Sequence, residues 1–198
     1  MNKIAITLVI LFTLITFFCF YGLTPNYIIQ IHREHSFVVD QNFTNVRLAL
    51  FKRDLLKEIL ISHKAELIEQ HYIKKEFSIK KISHPLQTWR YHAVIIAKAR
   101  LQEPAKENLG IRCKIWAEPE CIHSIASLEH PLKIGITKWD ETIHFSPYGE
   151  KTLIQIKLDV ELCRVVPRNW RQYAWNEVST TADDTIVNFE KAIRDLLR

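Results

Sequence analysis

Between Thr152 and Val166, Ile154, Ile156, Leu158, Val160 and Leu162 alternate with Gln155, Lys157, Asp159 and Glu161. This period of two lays one face of a strand on a core and the other in water. It also predicts an antiparallel sheet, because parallel strands are covered on both faces and lose the alternation. A different period follows. Ile186, Phe189, Ile193 and Leu196 fall on one stripe and predict a helix over Thr181 to Leu197. Thr180 or Thr181 is its cap, with Asp183 and Asp184 in the first turn and Lys191, Arg194 and Arg198 in the later turns, as the helix dipole favours. The stripe needs a surface, and the sheet provides one.

Upstream, Pro25 to Ile31 reads as a connector and Ser36 to Asp40 as a first strand. Leu48, Phe51 or Leu55, Ile59 and Leu67 keep near-helical spacing, which predicts one unbroken helix from Val46 to Gln70, capped by Thr44 or Asn45. Further strands are expected at Tyr72 to Ile82, Thr88 to Leu101, Leu109 to Ala117, Leu132 to Thr137 and Thr142 to Phe145. Pro131, Asp140-Glu141 and Pro147-Tyr148-Gly149 read as turns between them.

Ile4 to Leu23 is a run of 20 residues without a charge. As a helix it covers about 30 Å, the hydrocarbon thickness of a bilayer. The rival, a cleaved signal peptide, ends in small residues. Here the segment ends Phe18-Cys19-Phe20-Tyr21-Gly22-Leu23-Thr24-Pro25 with no A-x-A pattern. Residues 1–25 are therefore expected to be an uncleaved, single-pass membrane anchor, and 26–198 a folded domain. The side of the membrane is left open, because Lys3 competes with Arg33 and its flanking histidines.

With 47% hydrophobic and 25% charged residues, the domain has the makings of a packed core and is not a disordered tail. The net charge of +5 is interleaved with acids and forms no single stripe, which argues against a nucleic-acid partner. Cys113, Cys121 and Cys163 remain outside the anchor, an odd number. Cys113 and Cys121 can close a short loop in an oxidising compartment. Alternatively, Cys113 is a small buried residue in step with Ile111 and Ile115.

Catalytic signatures are missing. There is no phosphate-binding glycine loop, HExxH, CxxC or GxSxG. The spacing of Cys113, Cys121, His123 and Cys163 matches no compact zinc module. No metal, cofactor or catalytic residue is expected. The five tryptophans suit either an aromatic-lined pocket or core packing. The segment from Trp170 to Trp175, with its basic neighbours, suits a membrane interface or a protein partner.

The stretch from Thr142 to the end, TIHFSPYGEKTLIQIKLDVELCRVV and then FEKAIRDLL, carries a strand, a Pro/Gly turn, a longer strand and a closing helix. That order resembles the START-like superfamily, the helix-grip fold of lipid-transfer and polyketide-cyclase-like proteins. The resemblance covers Ser36 to Arg198 as architecture and has no short motif. A long unbroken helix after the first strand departs from it, since the family has two short helices there. A cystatin-like or cone-shaped domain shares most of the remaining pattern. The resemblance implies an α+β fold, an antiparallel sheet gripped by a long C-terminal helix. The expected function is a membrane-anchored, non-enzymatic domain that binds an apolar ligand such as a lipid. Ile156 and Leu158 of the sheet and Ile186, Phe189 and Ile193 of the helix are the expected lining. The alternative is a membrane-tethered scaffold acting through protein contacts, and an enzyme ranks last.

Overall fold

The computed structural model describes residues 12–13, 23–62, 64–79, 89–102 and 106–198. In chain order these form strand β1 (Leu23–Val39), helices α1 (Phe43–Lys52) and α2 (Leu55–Ser62), and strands β2 (Ala65–Ile79), β3 (Trp89–Leu101) and β4 (Asn108–Ala117). Strands β5 (Ile122–Leu128), β6 (Ile136–Tyr148) and β7 (Lys151–Pro167) follow, then a 3₁₀ turn at Arg168–Trp170 and helix α3 (Arg171–Leu197). The seven strands make one sheet in the order β1-β7-β6-β5-β4-β3-β2, and every neighbouring pair is antiparallel. Of the expected anchor, residues 23–25 belong to β1, and the rest, apart from residues 12 and 13, lies outside the described residues. No described helix is long and apolar enough to cross a membrane.

The alternation in β7 does what its period demands. Ile154, Ile156, Leu158, Val160 and Leu162 are buried. The stripe of α3 lies on them and on Ile29, Ile31, Phe37 and Val39 of β1 in one continuous core. Arg33 of β1 donates to Asp183 at 2.5 Å and also to the Ser179 hydroxyl, which fixes the helix along the strand. At the other end, Arg53 donates to the backbone oxygen of Leu196 at 2.7 Å and so satisfies a terminal carbonyl of α3.

The single helix expected over Val46 to Gln70 is instead two helices and a strand. Asn42 accepts from the amide of Asn45 at 2.9 Å and caps α1. Arg53 is extended (φ −116°, ψ 149°), and Asp54 accepts from the amide of Lys57 at 3.2 Å to start α2. Lys64 then turns the chain into β2 with φ +54°. The apolar spacing runs through these breaks because each segment buries a face of its own. Two short helices here match the START-like arrangement and remove the departure noted above. Lys64 occupies a left-handed conformation that glycine adopts without a Cβ clash. Lys64→Gly is therefore expected to raise unfolding stability by about 1 kcal/mol in urea titration.

Four other expectations shift. The supposed connector at Pro25 to Ile31 belongs to β1, because β7 supplies a pairing partner along its length, with a bulge between Thr24 and Tyr27. Leu132 to Thr137 is mostly a turn closed by Gly135 donating to the carbonyl of Leu132 at 2.9 Å. β5 was not anticipated: its inner positions Ser124 and Ala126 are small and mask the period. Helix α3 starts at Arg171 and not near Thr181, since Ala174, Ser179 and Ala182 extend its buried stripe backwards. Thr181 is thus an interior residue whose hydroxyl donates to the carbonyl of Glu177.

Candidate functional site

The strand register places Leu158, Glu141, Ala126, Cys113 and Ile95 side by side across five strands. Directly opposed residues share a face, so this row lies on the inner face, beneath the helices. Asp140-Glu141, expected as a turn, is therefore the middle of β6. The alternation Trp139, Glu141, Ile143, Phe145 carries the glutamate inward.

Helix α2 spans this face with Leu56, Ile59 and Leu60. Between them and the sheet is a cavity of about 130 Å³. Leu109, Ile111, Ala126 and Leu128 form its floor, and Trp139, Glu141 and Phe189 close its side. The volume is near that of an engineered ~150 Å³ cavity that holds benzene. Apart from Glu141 and Ser127, the lining is hydrocarbon or aromatic.

Glu141 is 6% exposed. Among the described residues no hydrogen bond or ion pair reaches its carboxyl. Burial alone pushes its pKa up to about 8, so the acid is mostly protonated at neutral pH. Cys113, in the same row, is buried too. Its thiol contacts the Ser124 hydroxyl at 3.6 Å, and burial raises it to about 11 against the lowering effect of that contact, which leaves it a poor nucleophile. Cys113, Cys121 and Cys163 are all free thiols. Cys113 thus plays the small apolar part that its alternation implied.

A second cavity, of about 310 Å³, lies on the other side of Leu56, which lines both. Its walls carry Arg47, Lys52, Arg53 and Lys75 among Phe51, Tyr72, Trp89 and Tyr91. Arg47 is buried, donates to the carbonyl of Trp89 at 2.8 Å and lies 4.4 Å from the centre of that ring. It is a structural pin between α1 and β3, and its desolvation lowers its pKa.

Of the lining expected from sequence, Phe189 borders the smaller cavity and is 1% exposed. Ile156, Leu158, Ile186 and Ile193 are buried in the helix–sheet core and border neither cavity. Sequence reasoning missed Glu141 and the contribution of α2. Among the tryptophans, Trp89 is core, Trp139 borders the cavity, and Trp170 and Trp175 are exposed. Among the described residues, no cluster of three His, Cys, Asp or Glu side chains is placed to hold a metal.

No family model and no curated protein matches the chain. Solved structures do. A START superfamily protein from Mycobacterium smegmatis is similar at 15% identity and a TM-score of 0.50, over 84% of this chain and 96% of that one. The Zhui aromatase/cyclase from Streptomyces sp. R1128 is similar at 13% identity and a TM-score of 0.50, over 85% of this chain and 93% of that one. At such identities the likeness speaks to the fold. Seven antiparallel strands, two short helices after the first of them and a long closing helix are the order that the START-like resemblance implied. The chain has a START-like helix-grip fold.

Proposed function

We propose that this chain is a membrane-tethered carrier that holds an apolar ligand, a small molecule or part of a lipid, between α2 and the sheet. The observation that carries the reading is the cavity of about 130 Å³, lined almost wholly by hydrocarbon and bordered by all three layers that meet there. Phe189 meets the ligand directly. Ile156, Leu158, Ile186 and Ile193 form the packed layer beside it and are reached by a longer ligand when α3 lifts. One structural neighbour is named an aromatase/cyclase, so the fold also accommodates enzymes. Carriage is preferred here because, among the described residues, Glu141 borders the cavity with no base or activated nucleophile beside it.

The tether is residues 4–23. Leu23 is opposite Pro167, and Pro167 leads into Trp170 and α3. Trp170 and Tyr173, 57% and 66% exposed, thus project near the point where the apolar run joins the domain. Arg168 and Arg171 accompany them. Aromatic and basic side chains together suit an anionic bilayer surface. The same patch, Trp170 to Trp175, is what a protein partner would use in a scaffold.

Cell fractionation with an alkaline wash, followed by native mass spectrometry of the extracted full chain, tests both parts. The chain is expected in the washed membrane fraction with a bound apolar molecule. Release into the soluble fraction would overturn the tether. A protein that carries no added mass and binds no apolar probe would overturn the carrier. A stable protein partner in place of a ligand would favour the scaffold.

A further inference from the structure

We propose that Glu141 selects the ligand of the cavity under α2 by hydrogen-bonding one neutral oxygen, a hydroxyl or carbonyl, on an otherwise apolar molecule of roughly benzene size. The inference rests on reading that cavity as the ligand site and adds the chemical class that it takes.

The geometry supplies the argument. A carboxyl that is 6% exposed and has no hydrogen-bond or ion-pair partner among the described residues borders an otherwise apolar space. A buried polar group is ordinarily paired, because leaving it unpaired forfeits its hydration. Leucine in that place would complete the lining without the penalty. Water is a poor substitute, since a buried water needs two to four polar partners and this lining gives it little beyond the carboxyl.

The surroundings define what the group can accept. Helices α2 and α3 face it with Leu56, Ile59, Leu60 and Phe189, none of them ionisable. Along its row the neighbours are Leu158 and Ala126, with the Cys113 thiol one strand further on. Among the described residues no cation is set to hold a carboxylate, so the protonated acid is the resting form. That form offers one O–H donor and one carbonyl acceptor, which match a hydroxyl or a carbonyl. A charged ligand would have to lose its own hydration in an apolar space.

Phenol and toluene have the same shape and differ by the oxygen. Their binding to the full chain is measured by isothermal titration calorimetry for the wild type, Glu141→Leu and Glu141→Gln. The wild type is expected to prefer phenol by about tenfold, the worth of one hydrogen bond. Glu141→Gln keeps the preference, because an amide still donates and accepts. Glu141→Leu loses it and binds toluene at least as well as phenol. If Glu141→Leu fails to fold, Glu141→Met offers another apolar filling. Equal binding of the two probes to the wild type, or a phenol preference that survives in Glu141→Leu, overturns the role of Glu141 and leaves the cavity reading intact. Failure of both probes to bind the wild type overturns the cavity reading, and the role of Glu141 with it.

Discussion

Phe189→Ala is expected to lower the unfolding free energy by about 3–5 kcal/mol, the range for deleting a fully buried aromatic ring. The ring is 1% exposed and stands where α3, the sheet and the cavity meet. On one side it belongs to the core that joins α3 to β1 and β7, and on the other it borders the cavity. Its removal therefore takes contacts from the grip of the helix and enlarges a space that is already present. The surroundings cannot collapse to fill it without moving α3. Urea titration at neutral pH reads the change. A loss below about 1 kcal/mol, the scale of an ordinary substitution, would mean that α3 does not hold the sheet through this ring.

The second large effect is a pH dependence that one side chain controls. Glu141 has a pKa of about 8 in the folded protein, against an ordinary 4.5. Between those values the folded state keeps a proton that the unfolded chain has released. Stability from this group is therefore full below about pH 4.5, falls as pH rises through the window, and levels off above about pH 8. At about 1.4 kcal/mol per pH unit, the total is on the order of 5 kcal/mol. Glu141→Gln removes the titration. The stability difference between variant and wild type should grow in favour of the variant from pH 5 to pH 8 and be flat beyond it. Parallel stability curves for the two proteins would show that the carboxyl is hydrated or paired. The pairwise comparison also cancels surface groups such as His32, which Asp159 and Glu34 hold above its usual pKa in both proteins.

The two predictions meet in the same place, and the sequence disclosed one of them. Phe189 lies on a helical stripe with one explanation, and the stripe was legible because nothing interrupts it. β7 was legible for the same reason, with five aliphatics on one face and polar or charged residues on the other. Glu141 was hidden by its neighbour. Two adjacent acids read as a solvated turn, and only the flanking alternation of Trp139, Ile143 and Phe145 says that one of them points inward. The break between α1 and α2 was concealed differently. Asp54 caps the second helix without a glycine or proline to mark the site, and Lys64 turns the chain in a conformation that lysine seldom takes. The cavity itself depends on where α2 crosses the sheet. That is a matter of tertiary packing, which no period along the chain records.

The pairing of β1 with β7 has a consequence for biosynthesis. Gln30 bonds to Glu161 across a separation of 131 residues, so β1 cannot find its partner until β7 has left the ribosome. At ~5–20 residues per second the wait is on the order of ten seconds. During that interval Ile29, Ile31, Phe37 and Val39, buried in the finished protein, have no surface to lie on. During that wait β1 is open to misassociation, and a chaperone that shields it would cover the surface that β7 and α3 later bury.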